Sequence, residues 1–227
     1  AVFTGTVTKT EAKSKSDIKI AIDAGHQARG NFSTEPIGPG ASTRKAKVAG
    51  GATGTATRVP EYKLTLHVAK KLQKELTQRG YQVYMIRTKN NVNISNKKRA
   101  QLANKSGADI YIRIHADSSG SSAVRGASML YPSTRNRYVK KLSKASKKLS
   151  SNIIRAYSKK TGIRNRGLVQ RDDLTGTNWS KIPVTLIEMG FLSNPTEDRL
   201  RKVLCRIKWL QESQMVLMII LDFSGIM

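Results

Sequence analysis

Cysteine, histidine, aromatic residues and acid are all scarce in this chain of 227 residues. Its one cysteine, Cys205, excludes an internal disulfide and any cysteine-based zinc cluster. Aromatic residues make up 6% and do not interleave with the basic ones. A stacking platform for single strands needs such interleaving, so no nucleic-acid partner is expected. No apolar run approaches the roughly 18 residues that a bilayer span requires, and no transmembrane segment is expected. The opening stretch AVFTGTVTKTEAKSKSD has no apolar core of the kind a signal peptide carries. Acid is thin as well: 15 Asp and Glu stand against 41 Lys and Arg, a formal charge of +26. That balance favours a polyanionic partner, and says little more.

What is present suits a globular core. Hydrophobic residues form 38% of the chain, and its length fits one domain with tails. Residues 1–17 are rich in Thr, Lys and Ser and read as a linker or tail; residues 18–227 read as the domain. The chain starts at Ala1, as expected of a mature form or a piece of a longer protein. Strands are expected at 18–22, 82–87, 108–116, 126–131 and 184–190, and helices at 61–79, 94–106 and 136–161. Leu64, Val68, Leu72 and Leu76 mark the core stripe of the first helix; Leu142, Ala145, Leu149 and Ile153 mark that of the last. Residues 27–60 hold much of the Gly and Pro and read as one long irregular loop. Strands alternating with helices predict an α/β fold with a largely parallel sheet.

Two expected strands end in histidine: IAIDAGH at His26 and IYIRIH at His115. Glu188 interrupts the apolar run TLIEMGF, and Glu61 opens the first helix. In open α/β sheets the functional crevice lies beyond the carboxyl ends of the strands. A catalytic zinc takes three protein ligands, commonly two His and a carboxylate, and keeps a position open. His26, Glu61 and His115 can supply those ligands. Glu188 can serve as the unligated acid/base, since a carboxylate between Ile187 and Met189 is costly to bury without a task or partner. Asp23 is positioned to orient an imidazole. Gly25 lets the chain turn before His26 without a side chain in the way. The third histidine, His67, shares a helix face with Lys63, Lys70 and Lys74 and is expected in solvent. The plainer alternative is that these are hydrogen-bonded residues at strand ends.

The blocks IAIDAGHQ, PEYKLTLHVAKKLQKELTQRGYQVYMIRT, ISNKKRAQLANKSGADIYIRIHAD and IPVTLIEMGFLSNPTED occur in that order. Over roughly residues 18–200 the chain resembles the zinc-dependent N-acetylmuramoyl-L-alanine amidases, catalytic domains of bacterial autolysins. The resemblance implies a three-layer phosphorylase/hydrolase-like fold, a twisted, mainly parallel sheet of about six strands flanked by helices. It implies Zn2+ on His26, Glu61 and His115, and catalysis by Glu188. The implied reaction cleaves the amide between the lactyl group of N-acetylmuramic acid and L-Ala of the stem peptide. Peptidoglycan is then the partner, a monomer the expected state, and the cell wall or cell exterior the place of action. Two other readings stand beside it: a zinc peptidase of related chemistry, or a non-catalytic domain that binds wall or polyanion.

The chain departs from that pattern twice. The Gly-rich segment between His26 and Glu61 is long and is expected to shape the substrate groove. Deleting 40–54 is therefore expected to change turnover or preference more than zinc content. The C-terminus, residues 201–227, is atypical. Codons permitted for RIKWLQESQMVLMII also spell QNKMATGIANGIND in a neighbouring frame, which suggests a frameshift; the alternative is that MVLMII packs as a divergent last helix.

Overall fold

The computed structural model describes residues 13–204. Its sheet has six strands: β1 (Lys19–Ala24), β4 (Gln82–Met85), β5 (Ile110–Asp117), β6 (Ala127–Tyr131), β7 (Asn165–Gln170) and β8 (Val184–Phe191). Their spatial order is β4-β1-β5-β8-β6-β7. The first four run parallel, β6 lies antiparallel to β8, and β7 runs parallel to β6. The expected α/β class and mainly parallel sheet are therefore what the chain forms.

The layers follow from side-chain period. In β5, Ile110, Ile112 and Ile114 point into one core with Leu64, Leu72 and Leu76 of α1 (Glu61–Gln78) and Leu149 and Ile153 of α3 (Ser143–Thr161). The opposite face of β1 and β5 places Ala21 and Tyr111 against Ala100 and Ala103 of α2 (Asn96–Lys105). Each large apolar side chain so buried contributes about 1.5–3 kcal/mol. The short α4 (Thr175–Asn178) lies on the α2 side, where Gly176 meets the Arg113 guanidinium. The chain then passes through β8 into α5 (Pro195–Leu204).

Four expectations need correction. The long loop at 27–60 contains a hairpin, β2 (Asn31–Pro36) and β3 (Arg44–Val48), which forms its own two-stranded sheet. In β2 the exposed run Phe32-Ser33-Thr34 does not alternate with buried apolar residues, and the pairing is broken between Asn31 and Thr34, so no alternating apolar pattern announces it. The helix expected at 136–161 begins as α3 only at Ser143. Asn136 accepts hydrogen bonds through its side chain from the backbone of Tyr138 and Val139, a local turn that competes with helix. Leu142 and Ala145 are only half-buried, whereas Ser143, Ser146 and Ser150 are buried, and the last two bond onto β8. Small hydroxylic residues let α3 approach the sheet closely. The strand β7 is an edge strand with little apolar character, NRGLVQ, and the periodicity assigns it nothing. Lastly, residues 13–17 of the expected tail belong to the domain: Lys13 pairs with Asp109, and the Ser16 carbonyl accepts from Gln82. The remainder of that tail and the segment expected to be frameshifted, from Cys205 on, lie outside the described residues.

Candidate metal centre

His26 follows the end of β1, His115 lies near the end of β5, Glu188 is its register partner on β8, and Glu61 is the first residue of α1. The sheet order explains the meeting. Strands β1, β5 and β8 are neighbours and parallel, so their carboxyl ends share one edge.

Three atoms converge there. His26 Nε2 lies 3.1 Å from Glu61 Oε1 and 3.1 Å from His115 Nδ1, and His115 Nδ1 lies 3.3 Å from Glu61 Oε1. A tetrahedral ion with bonds of about 2.0–2.1 Å spaces its ligands about 3.3–3.4 Å apart. The triangle matches that spacing, and His26, Glu61 and His115 form a group that can hold a metal ion. The His26 ring is also oriented: Nδ1 donates to the Ala49 carbonyl at 2.9 Å, which turns Nε2 into the triangle. Burial pushes the His115 imidazole down to about 4, with His26 adding to the shift and Glu61 opposing it. Burial alone would raise the Glu61 pKa, but the two imidazoles hold it well below the usual carboxylate range. Neutral imidazoles and an ionised carboxylate are the forms that bind metal.

Among the described residues, two buried atoms at this edge have no hydrogen-bond partner, His115 Nε2 and Glu188 Oε2. Burial first, and then the nearby Glu61 and Asp117 carboxylates, push the Glu188 pKa well above its ordinary value. A carboxylate unspent on protein contacts and primed to hold a proton is a suitable acid/base.

Backbone conformation carries part of the design. The left-handed residue at the turn is His26 itself, at φ 60°, and not Gly25. Gly25 is required for another reason: a Cβ there would sit 2.4–2.6 Å from the His115 ring. Gly51, at φ 81°, is held in the same way, because its Cβ would lie 3.0 Å from His26 Cγ and 3.1 Å from Glu61 Oε2.

Asp23 does not orient an imidazole. It points to the α2 face, where Oδ1 accepts from Arg99 Nη1 at 2.6 Å and Oδ2 accepts from Tyr111 at 3.0 Å and from Arg113 Nε at 3.1 Å. The residues that fix the His26 turn are two arginines that the sequence reading passed over. Arg99 donates to the carbonyls of Ala24 and His26; Arg87 donates to those of Ala24 and Gly25. A usable signal exists for their neighbour Arg113, a cation inside the apolar run IYIRIH, which demands a buried acid. The expectation for the 40–54 deletion changes too. Ala49 holds His26, and the Ala52 amide donates to Glu61 Oε2 at 3.0 Å, so removing this segment strips support from two of the three residues of the candidate metal group. His67 is exposed, as expected.

Fold and site together define an α/β protein with a His-Glu-His group able to hold a metal ion at the carboxyl edge of its sheet. Residues 20–203 match the family model for N-acetylmuramoyl-L-alanine amidase, and the chain belongs to that family. It is 29% identical over 150 residues to the probable cell wall amidase LytH of Staphylococcus epidermidis, covering 66% of this chain and 45% of that protein. The Staphylococcus aureus LytH is 28% identical over 154 residues, covering 67% of this chain and 47% of the relative. The chain thus spans about half the length of these curated relatives. In fold it is similar to the N-acetylmuramyl-L-alanine amidase Ami1 from Mycobacterium smegmatis, with a TM-score of 0.80, 23% identity and coverage of 95% and 100% of the two chains. An N-acetylmuramoyl-L-alanine amidase from Clostridium difficile 630 aligns with a TM-score of 0.66 at 26% identity, covering 92% and 95%.

Proposed function

We propose that this chain is a zinc-dependent N-acetylmuramoyl-L-alanine amidase. It hydrolyses the amide between the lactyl group of N-acetylmuramic acid and L-Ala in peptidoglycan, at the bacterial cell wall and outside the cell. One observation carries the reading: a triangle of ligating atoms spaced for a tetrahedral ion, with the unpartnered carboxylate of Glu188 beside it, in a member of this family. His26 Nε2, His115 Nδ1 and Glu61 would hold the ion. When bound, zinc supplies Lewis acidity, acidifying water and polarising the scissile carbonyl. Glu188 takes the proton of the attacking water and passes it to the departing L-Ala nitrogen. Its raised pKa suits the second half of that transfer, and a cation held at the triangle would favour its ionised form for the first half. Arg87 and Arg99 hold the turn that aims His26. The +26 charge draws the protein to an anionic wall.

Mass spectrometry of purified peptidoglycan incubated with the chain, with and without a chelator, tests this. Intact stem peptides with free L-Ala amino ends are expected, lost with chelator and restored by zinc. Cleavage within the stem peptide instead would make the chain a peptidase, and no cleavage by folded, zinc-loaded protein would overturn the catalytic reading.

A further inference from the structure

Phe32 is 73% exposed, the more open of the two exposed large hydrophobic residues among those described. It stands on β2, within the stretch where the hairpin pairing shifts between Asn31 and Thr34. A bulge of this kind re-aims a side chain, and such bulges concentrate beside active sites. The ring lies close to the segment that supports the metal centre. A Cβ on Gly30 would lie 3.1 Å from the Phe32 ring edge and 3.2 Å from the Gly50 nitrogen, so ring and Gly50 backbone face each other across Gly30. The next residue, Gly51, lies against His26 and Glu61, and the one before, Ala49, accepts from His26. Residues 49–51 are themselves exposed. They form an open wall of the metal cleft, with Phe32 beside it.

The hairpin is held firmly, so this ring is not a loose surface group. Asn31 donates to Asn93 at 3.0 Å, Glu35 accepts from the Lys97 amide at 2.8 Å, and the Pro36 carbonyl accepts from the Trp179 indole at 3.0 Å. Lys45 pairs with Asp173, which precedes α4, at 2.5 Å. Exposing this ring to water costs free energy that the fold does not recover, whereas a ligand laid on a fixed ring recovers it without an ordering cost. Its neighbours, Asn31, Ser33 and Thr34, are polar. An apolar face ringed by hydrogen-bonding groups matches a pyranose, whose CH face is bordered by hydroxyl and amide groups.

We propose that Phe32 is a specificity-determining residue, a platform on which a sugar ring of the glycan strand stacks so that the lactyl amide reaches the metal centre. This rests on the amidase reading, and its test is separable from catalysis. Binding is measured by calorimetry with zinc-loaded Glu188→Gln chain, with and without Phe32→Ala. Two probes are used: a disaccharide-pentapeptide, and a lactyl-pentapeptide that lacks sugar. Phe32→Ala is expected to weaken the disaccharide probe by about 10-fold and the sugar-free probe by less than about 2-fold. Phe32→Trp is expected to restore affinity, and Phe32→Leu to restore only part of it. Equal weakening of both probes, no weakening of either, or no saturable binding of the disaccharide probe to the parent overturns the proposal. Failure of the amidase reading shows elsewhere, as absent or different cleavage products from the chain with Glu188 intact.

Discussion

Asp23 and Glu188 are both carboxylates enclosed by the same sheet, on strands separated only by β5. Their surroundings differ completely. Asp23 is fully buried and spends both oxygens, on Arg99, Arg113 and Tyr111. Burial would raise its pKa, but the two guanidinium groups outweigh that and hold it well below the usual carboxylate range. Glu188 has an enclosed oxygen with no partner, and its pKa is driven upward. Arg113 is near enough to affect both, yet its hydrogen bonds go to Asp23 and Asn96. A buried ionised group that is fully paired holds structure in place. One left unpaired persists against its desolvation cost only where it has work to do.

The same edit at both positions tests this division. Glu188→Gln keeps shape and removes the proton carrier. It is expected to lower kcat by about 10²–10⁴-fold, with zinc content unchanged and melting temperature unchanged or slightly raised. Turnover on peptidoglycan, metal analysis and a thermal melt read the three outcomes, and wild-type turnover would remove Glu188 from the chemistry. Asp23→Asn also keeps shape, but it strands two buried guanidinium groups. Breaking a buried pair in this way costs about 3–5 kcal/mol, measured by denaturant unfolding. Because Arg99 also holds the Ala24 and His26 carbonyls, zinc affinity should fall with it. An Asp23→Asn chain as stable as the parent would erase the distinction between the two carboxylates.

What the sequence made legible follows the same line. His26, Glu61, His115 and Glu188 were readable because each is a polar residue at an apolar boundary, and parallel strands bring such boundaries to one edge. The sheet was readable because Ile110, Ile112 and Ile114 alternate over a full strand. The Ala49 carbonyl and Ala52 amide were not, since backbone groups carry no residue identity. Nor was the β2–β3 hairpin, whose exposed run Phe32-Ser33-Thr34 shows no alternation and whose register breaks at the bulge. Asp23 is legible as a carboxylate inside an apolar strand, but its partner is not. Strand alternation already places it two residues from Ala21, on the α2 face, and only the position of α2 reveals Arg99 as the group it meets.

Titration of the metal-free chain resolves the two clusters by pH, with the smallest of these effects. His115 has a folded pKa of about 4, below the ordinary value of 6.5. Between those values the unfolded chain binds a proton that the folded chain does not. Stability from this group is therefore complete above pH 6.5 and is lost as pH falls towards 4, by up to about 1.4 kcal/mol per unit and about 3 kcal/mol in all. Asp23 behaves as a depressed carboxylate: its contribution is complete above its ordinary pKa and is lost only as pH falls below about 4. Glu61, also depressed, adds to that lower limb. Unfolding free energy measured from pH 8 to 3 should thus descend in two limbs. His115→Gln should flatten the upper limb and leave the lower one. A single limb confined below pH 4 in the parent chain would mean that His115 already carries a proton in the metal-free fold, and that the site is not held ready in its metal-binding form.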